Sequence, residues 1–356
     1  MTEPTRSSSG FWRGKRVLVT GHTGFKGSWL TLWLHRLGAK VTGISLPPCT
    51  TPNLFTLAGI EALCESHLED IRDSAALTPL IKQVQPDLVF HLAAQPLVRA
   101  SYRNPVETFA TNIMGTTHVL DALRGLDSVR VAVMVTTDKV YRNNEWLWPY
   151  REDDALGGHD PYSASKAASE LVIASYRDGF LATQGTAVAS ARAGNVIGGG
   201  DWSEDRLIPD AIRAWQSGRI LEIRSPEAIR PWQHVLEPLA GYLTLAEKLW
   251  YQPALAGAYN FGPETNDVAT VREVVEIARS VYGSGEVSYK DNIDGPHEAG
   301  LLALEVTKSC HTLGVKPRWL LSDAIKHTMK WYRDQHQGEE ARARCEAQIA
   351  AYERLK

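Results

Sequence analysis

A glycine-rich turn near the amino terminus places the strongest constraint on the fold of this chain. Residues 16–20 (RVLVT) form a short, mostly β-branched apolar run, and residues 28–37 carry apolar side chains at helical spacing. Between them stand Gly21, Gly24 and Gly27, spaced GxxGxxG. This spacing between a strand and a helix is typical of dinucleotide-binding proteins, in which the helix N-terminus faces a pyrophosphate. A glycine-rich turn without a ligand is the alternative, and the strand–turn–helix context favours the dinucleotide.

The alternation of strands and helices continues beyond this turn. Further strands are predicted at residues 40–46, 87–93, 131–135 and 187–192, and amphipathic helices at 106–124 and 161–180. Strands and helices in this order predict a parallel sheet with helices on both faces. This is the Rossmann-type, doubly wound α/β class.

The second half of the chain has a different character. Glycine, tryptophan and proline become frequent after about residue 198, and helices are predicted at 208–217, 238–250, 271–282 and 335–356. The last of these is highly charged, which indicates a solvated helix. We expect a flexible tail at residues 1–10, a dinucleotide-binding Rossmann domain at 11–197 and a smaller, mostly C-terminal α/β substrate lobe at 198–356. The boundary is not expected to be clean, because the chain can cross back to complete the sheet.

Composition narrows the classes of protein. The 38 Lys and Arg residues and 41 Asp and Glu residues give a net charge of −3, which offers no broad basic face for nucleic acid or membrane. No run approaches the roughly 20 apolar residues that span a bilayer. Residues 1–10 lack the apolar core of a secretory signal. The cysteines are far apart, which indicates reduced thiols in a cytosolic protein; they are Cys49, Cys64, Cys310 and Cys345.

Histidine and tryptophan positions favour structural roles. His22, His91 and His234 do not have the spacing of metal ligands, so no metal site is expected. His91 lies in an apolar strand and is expected to be a hydrogen-bonded core residue. Trp29 and Trp33, at positions i and i+4, are expected in the core.

A second motif indicates redox chemistry. Tyr162 and Lys166 stand at positions i and i+4 at the start of the predicted helix 161–180, on one helix face. The ammonium group is expected to lower the pKa of Tyr162 from about 10. The phenolate then accepts a proton from a substrate hydroxyl while hydride leaves for a nicotinamide.

The string Thr136-Thr137-Asp138-Lys139 directly follows the predicted strand 131–135. Side chains at the carboxyl ends of parallel strands point into the ligand crevice. Thr137 is therefore a candidate hydrogen-bond partner of the reacting hydroxyl, and Asp138 and Lys139 are a candidate acid and base. A surface turn with a salt pair is the alternative, which this position disfavours.

The type of dinucleotide is less sharply defined. An acid about 20 residues after the glycines usually binds the adenosine ribose, but the second strand ends at Ser45 and Leu46 without Asp, Glu or Arg. Ser45 is either a ribose contact or an ordinary turn serine. Asp70 and Ile71 are candidates for an adenine pocket, and a helix N-cap is the alternative for Asp70. NAD rather than NADP is the expectation.

Several longer strings resemble one family. They are GHTGFKGSWL (21–30), HLAAQPLVRASY (91–102), TTDK (136–139), RAGNVIGGGDW (192–202), RLIPD (206–210) and RPWQHVLEPL (230–239). On these strings the chain resembles the extended short-chain dehydrogenase/reductases over residues 11–332. Within them it is most similar to the nucleotide-sugar 4,6-dehydratases, in particular the CDP-glucose branch. The glycine turn and the Tyr-Lys pair identify only the superfamily, whereas GGGDW and RPWQHV are far more specific.

The resemblance implies a role for each matching residue. The implied cofactor-binding residues are Gly21, Gly24, Phe25, Lys26, Gly27, Asp70, Ile71, Ala93, Ala94, Gln95 and Thr111, with the catalytic Tyr162 and Lys166. The implied substrate-binding residues are Asn195, Arg206, Arg230 and Asn260. Trp202 and Trp232 are expected in the pocket wall. The chain departs from the dTDP-glucose branch in one catalytic residue, because Lys139 stands where that branch has Glu. Residues 297–299 resemble the CDP branch, and their role is open.

The implied reaction is an internal redox cycle on CDP-glucose. Tyr162 deprotonates the 4-hydroxyl and NAD takes the hydride. Lys139 then removes the proton on carbon 5, Asp138 protonates the departing 6-hydroxyl, and hydride returns to carbon 6.

Two other functions use parts of the same machinery. A 4-epimerase or keto-reductase of this family needs the same Tyr and Lys without elimination, and the Asp138-Lys139 pair favours dehydration over it. A non-catalytic NAD-sensing protein is the second alternative, which the intact Tyr162 and Lys166 disfavour. The family also implies a homodimer that pairs through helices 106–124 and 161–180.

Overall fold

The computed structural model describes residues 9–264, 267, 269–290 and 302–355. Residues 1–8 of the predicted tail and the motif at 297–299 lie outside the described residues. None of the helices in the described ranges is long and apolar enough to cross a membrane.

The secondary structure alternates between strand and helix through the first half of the chain. The strands are β1 (Arg16–Thr20), β2 (Lys40–Ser45), β3 (Glu65–Leu68), β4 (Leu88–His91), β5 (Val131–Val135), β6 (Ala187–Ala193), β7 (Val196–Ile197), β8 (Leu221–Ile223), β9 (Ile229–Arg230), β10 (Gln233–His234), β11 (Gly257–Phe261), β12 (Ala269–Thr270) and β13 (Val287–Tyr289). The α-helices are α1 (Ser9–Trp12), α2 (Phe25–Arg36), α3 (Leu54–Leu57), α4 (Ser74–Val84), α5 (Val98–Arg103), α6 (Pro105–Phe109), α7 (Thr116–Ala122), α8 (Pro161–Tyr176), α9 (Leu207–Gln216), α10 (Leu236–Tyr251), α11 (Val271–Tyr282), α12 (Leu321–His336) and α13 (Ala341–Glu353).

Seven strands form a parallel sheet in the order β11-β6-β5-β4-β1-β2-β3. Strand β1 pairs with both β2 and β4, so the strand order reverses there and the crossover helices cover both faces. The predicted Rossmann-type, doubly wound α/β class is confirmed. The predicted strands agree with the observed ones within the usual uncertainty of strand ends.

Alternate residues of the sheet face two cores, as the period of two in a strand requires. In β1, Val17 and Val19 belong to the larger core, against which α2, α10, α12 and α13 pack. Leu18 faces the smaller core, together with residues of α4, α7 and α8. The two packed faces leave the carboxyl ends of the strands free to form a site.

The chain crosses back to the sheet after residue 198, as the sequence allowed. Helix α10 packs on β5 and β6, and β11 adds a parallel strand beside β6. The short pairs β8–β13 and β9–β12, with α9 and α11, form a smaller layer beyond the sheet edge.

Two predicted helices differ from the observed ones. The predicted helix 106–124 contains a π-helical segment at Ala110–Gly115 between α6 and α7. The predicted solvated helix at 335–356 is wrong, because α13 buries Cys345, Ile349 and Tyr352 in the larger core. The Trp33 indole donates to Glu353 Oε1 at 2.9 Å, which ties the carboxyl-terminal helix to α2. The many charged residues of α13 suggested a solvated helix, but they leave one face apolar, and that face is buried.

Candidate active site

The glycine turn links β1 to α2 with little room for side chains. Gly21 has a φ of +80°, and a Cβ there would lie 2.7 Å from the Ala93 nitrogen. A Cβ at Gly27 would overlap the Gly21 carbonyl oxygen. Gly24 is the N-cap of α2 and is exposed to a cavity, so a side chain there would enter the space before the helix N-terminus. The turn therefore has the form of a pyrophosphate cradle.

A cavity of about 1050 Å³ opens at the carboxyl ends of β1, β2, β4, β5 and β6. Open α/β sheets bind ligands at this edge, where the strand order reverses. The volume lies at the upper end of the range of about 300–1,000 Å³ for small-molecule sites. It therefore offers room for more than one small ligand.

Most of the predicted cofactor residues line this cavity. They are Gly21, Gly24, Phe25, Lys26, Gly27, Asp70, Ile71, Ala93, Ala94, Thr111, Tyr162 and Lys166. The carboxylate of Asp70 pairs with Arg72 at 2.6 Å, and the N-cap of α4 is Asp73 rather than Asp70. The N-cap alternative for Asp70 is therefore wrong. Ser45 lies at the cavity and hydrogen-bonds the Thr23 hydroxyl at 2.8 Å.

Gln95 is a correction to the predicted cofactor set. Its amide donates to the Thr108 hydroxyl at 2.9 Å, and its amide oxygen accepts from the Leu97 backbone nitrogen. Both ends of the side chain are thus bonded within the turn that follows Ala94, while its neighbours line the cavity. The Gln95 backbone is likewise bonded at both its nitrogen and its oxygen, to the Asn112 side chain.

The predicted catalytic residues converge on the same cavity. Helix α8 begins at the Asp160 N-cap and presents Tyr162 and Lys166, both buried. Lys166 Nζ donates to the Val135 carbonyl oxygen at 3.3 Å, at the end of β5. This hydrogen bond connects the helix to the strand that precedes the Thr-Asp-Lys turn.

The Thr-Asp-Lys turn brings three functional groups together. The Thr137 hydroxyl donates to Asp138 Oδ1 at 2.9 Å, and Lys139 Nζ lies 4.0 Å from the same oxygen. Asp138 is 1% exposed, whereas the Lys139 side chain is 31% exposed. Since all three residues line the cavity, the alternative of a surface turn is wrong.

Burial sets the proton affinities of the Tyr-Lys pair. It raises the pKa of the Tyr162 hydroxyl to about 12, which the Thr137 hydroxyl only partly opposes. The expected lowering of that pKa is therefore wrong for this structure, because loss of water around the phenolate outweighs neighbouring charges. Burial also lowers the pKa of Lys166 to about 8, against the charge of Glu170.

Lys26 belongs to the same cluster of charges, which the sequence did not reveal. Burial, Arg206 and Lys166 lower the pKa of Lys26 to about 7, while Asp138 and Asp201 oppose the change. Its Nζ lies 5.9 Å from the centroid of the Tyr242 ring. The sequence indicates burial of Lys26 only by its place directly after Phe25, at the start of an apolar helix. The charged neighbours of Lys26 come from distant segments.

Three of the four predicted substrate residues line the cavity: Asn195, Arg206 and Arg230. The Arg206 guanidinium pairs with Asp201 at 3.0 Å. Trp202 and Trp232 also lie in the cavity wall, as expected.

Asn260 is a correction to the predicted substrate set. It is fully buried in β11, and its amide donates to the carbonyl oxygens of Tyr150 and Glu305. Its amide oxygen accepts from the Tyr141 hydroxyl at 2.7 Å. These bonds hold the side chain in β11, and Asn260 is not among the residues that line the cavity.

The expectation that His91 is a hydrogen-bonded core residue agrees with the structure. His91 is buried and hydrogen-bonded to the Thr20 and Thr116 hydroxyls at 2.7 and 3.0 Å. Among the described residues no group of three or more His, Cys, Asp or Glu side chains could hold a metal ion.

Comparison with known proteins assigns the family. The model of the GDP-mannose 4,6 dehydratase family matches residues 18–328. A CDP-glucose 4,6-dehydratase of Salmonella typhimurium is 45% identical over 348 residues, which cover 96% of this chain and 97% of the relative. The chain belongs to the GDP-mannose 4,6-dehydratase family. A dTDP-glucose 4,6-dehydratase of Shigella flexneri is a more distant relative, with 28% identity over 89% of this chain and 92% of the relative.

Solved structures share the fold of this 4,6-dehydratase family member. A dTDP-glucose 4,6-dehydratase of Bacillus anthracis in complex with NAD has a TM-score of 0.75 at 21% identity, over 90% of this chain and 97% of that one. A UDP-glucose 4-epimerase of Thermotoga maritima has a TM-score of 0.76 at 22% identity, over 90% and 99% of the two chains. Dehydratases and epimerases thus share this scaffold, and the site chemistry has to distinguish them.

Proposed function

We propose that this protein is a CDP-glucose 4,6-dehydratase, which converts CDP-glucose to CDP-4-dehydro-6-deoxyglucose and water. The observation that carries the proposal is the convergence of Tyr162, Lys166 and the Thr137-Asp138-Lys139 turn on one cavity. The near full-length similarity to the Salmonella enzyme supports the choice of CDP-glucose. The reaction is a hydro-lyase reaction, since the hydride that leaves the sugar returns to it.

NAD is the proposed cofactor. The turn from Gly21 to Gly27 and the N-terminus of α2 would hold its pyrophosphate, and Asp70 and Ile71 would contact its adenosine end. The turn supports this placement because Gly21, Gly24 and Gly27 all line the cavity beside the N-terminus of α2. Bound NAD supplies a hydride acceptor for carbon 4 and a hydride donor for carbon 6.

The first step requires a base at the 4-hydroxyl. Tyr162 accepts this proton as its phenolate, and Thr137 orients the hydroxyl through a hydrogen bond. The ammonium of Lys166, one helical turn away, favours the phenolate. Burial is the main cause that raises the pKa of Tyr162 to about 12, so the step near neutral pH depends on positive charge beside the phenolate.

The second step eliminates water across carbons 5 and 6. The ketone at carbon 4 acidifies the proton on carbon 5, which Lys139 removes. Asp138 gives a proton to the departing 6-hydroxyl, which leaves as water. For this step Lys139 is the neutral amine and Asp138 the protonated acid, so the proton of the pair, whose Nζ–Oδ1 distance is 4.0 Å, lies on Asp138 before elimination. The protonated Lys139 then gives a proton back to carbon 5 as hydride returns to carbon 6.

The substrate diphosphate is proposed to bind cationic side chains of the same cavity. Arg206 and Arg230 supply the positive charge, and Asn195 supplies a neutral polar group. The net charge of the whole chain does not show this local concentration. Trp202 and Trp232 close the cavity wall around it.

A 4-epimerase is the competing function on this scaffold. It needs Tyr162 and Lys166 but no acid and base for elimination, so the buried Asp138 beside Lys139 favours dehydration. A panel of nucleotide hexoses, followed through the absorbance of 4-keto-6-deoxy sugars in base, tests the proposal. We expect the chromophore with CDP-glucose above all, whereas recovery of a C4 epimer without chromophore would overturn it.

A homodimer is proposed as the functional form. Helices α5 to α8 pack together and expose large apolar side chains, namely Tyr102, Val106, Phe109, Met114 and Leu171. Such a face is typical of a protein–protein interface.

The four free cysteines support the cytosol as the compartment.

A further inference from the structure

One buried carboxylate lies directly behind the Tyr-Lys pair. Glu170 follows Tyr162 and Lys166 at the same helical spacing along α8, so the three side chains share one helix face. Glu170 is 4% exposed. It is the first charged group behind the ammonium of Lys166, and neither the motif nor the resemblance assigns it a role.

Three side chains from the sheet hold this carboxylate. The Thr136 hydroxyl donates to Oε1 at 2.5 Å, and the Ser190 hydroxyl donates to Oε2 at 2.7 Å. The Arg192 guanidinium donates to Oε2 at 2.8 Å and is itself buried. Glu170 therefore ties α8 to the end of β5 and to β6 in one place.

The anchored segments are those that carry the proposed chemistry. Thr136 directly precedes Thr137, and the Lys166 ammonium donates to the Val135 carbonyl one residue earlier. Three hydrogen bonds, one of them from a charged guanidinium, hold this buried carboxylate in one place. We propose that Glu170 is a positioning residue of the active site, which holds α8, and with it Lys166, in register with the Thr136 segment and β6. The inference rests on the proposed roles of Tyr162 and Lys166.

The charges around Lys166 come from four elements. Glu170 on α8 stabilises the ammonium, whereas Lys26 on α2 opposes it. His91 on β4 is neutral, because burial and Lys166 lower its pKa to about 3. Arg192 on β6 is paired with Glu170, so removal of the Glu170 charge would leave this buried guanidinium without its carboxylate partner. Loss of the carboxylate charge thus lowers the pKa of Lys166 below the present value of about 8.

The test compares Glu170→Gln with Glu170→Asp and with a matched control. Glu237→Gln removes another buried carboxylate, which accepts from the Tyr352 hydroxyl and the Trp319 nitrogen in a different part of the fold. Lys166 titration is measured by competitive acetylation and mass spectrometry across pH, and turnover of CDP-glucose is measured over the same range. The acetylation measurement does not depend on the proposed function.

We expect Glu170→Gln to move the Lys166 midpoint and the alkaline limb of the turnover profile to lower pH by about one unit or more. Glu170→Asp shortens the side chain by one methylene group, so we expect the Lys166 midpoint and the alkaline limb to move in the same direction by less. We expect Glu237→Gln to move neither the midpoint nor the limb. An unshifted midpoint in a folded Glu170 variant, with a rate reduced equally at every pH, would overturn the proposal. If Glu170→Gln does not fold, Glu170→Asp decides. A shifted midpoint in a protein that does not dehydrate CDP-glucose would contradict the proposed function and leave the role of Glu170 intact.

Discussion

Gly194 lies directly against the carboxylate of Asp138: a Cβ at residue 194 would lie 3.2 Å from Asp138 Oδ2 and 2.8 Å from Pro231 Cγ. The same oxygen is buried and has no hydrogen-bond partner within the part of the chain that the structure describes. The proposed acid thus occupies space that only a glycine at position 194 leaves open.

We predict that Gly194→Ala lowers the turnover of CDP-glucose by about tenfold or more, because Pro231 and the Asp138 carboxylate both have to shift to admit the Cβ. The fold and the binding of NAD should be retained, as measured by circular dichroism and cofactor titration. Gly179→Ala is the matched control, since no described atom lies within 4 Å of a Cβ at Gly179. Equal turnover in the two variants would show that the position of Asp138 is not constrained by Gly194.

Lys139→Met separates oxidation from elimination. The substitution removes the proposed base at carbon 5 and leaves Tyr162 and Lys166 in place. We expect the absorbance of reduced nicotinamide to appear on mixing with CDP-glucose, while formation of the 4-keto-6-deoxy product falls by about 100-fold or more. Lys82→Met, at an exposed position of α4, should behave like the wild type. Oxidation together with full dehydration in Lys139→Met would exclude Lys139 as the base.

Lys26 gives the stability of the protein a predictable dependence on pH. Its pKa is lowered from 10.5 to about 7 by folding, so the unfolded chain binds a proton that the folded chain does not between these values. The resulting cost to stability is fully present below about pH 7 and disappears as the pH rises through 10.5. Lys26→Met should therefore raise Tm by about 2 °C or more at neutral pH, and by less toward pH 10.

Thermal unfolding of both proteins across this range is the measurement, with Lys82→Met as the exposed control. A gain that is the same at all pH values would show that the methionine acts by packing alone.

The proposed dimer face can be tested at two exposed positions. Val106 is 80% exposed on α6 and Leu171 is 64% exposed on α8, which packs beside it. We expect Val106→Glu with Leu171→Glu to give monomers in light scattering at micromolar concentration, because paired carboxylates disfavour burial. Leu320→Glu changes a leucine of similar exposure, 63%, outside this face and should leave the dimer intact. Unchanged mass in the double variant would place the interface elsewhere.

Most of the fold could be predicted from patterns of residues that are close in sequence. The glycine turn, the β-branched strands and the Tyr-Lys spacing depend on residues close in sequence, and each lies where the pattern predicted. The sheet edge then brings Thr137, Asp138 and Lys139 to the cavity, because they follow a parallel strand.

The errors come from long-range contacts. The Asn260 side-chain amide donates to the backbone carbonyl oxygens of Tyr150 and Glu305, which are far from it in sequence. The proton affinity of Tyr162 depends on how deeply α8 is buried, and the lowered pKa of Lys26 depends on charges from distant segments. Helix spacing alone reports neither burial nor the neighbours that folding assembles.

The most direct test of the proposed reaction is the conversion of CDP-glucose in deuterated water, followed by mass spectrometry and NMR. We expect loss of one water, one solvent deuterium at carbon 5 and transfer of the carbon 4 hydrogen to carbon 6, with NAD oxidised at the end. Retention of the 6-hydroxyl, with inversion at carbon 4 and without solvent deuterium at carbon 5, would contradict it.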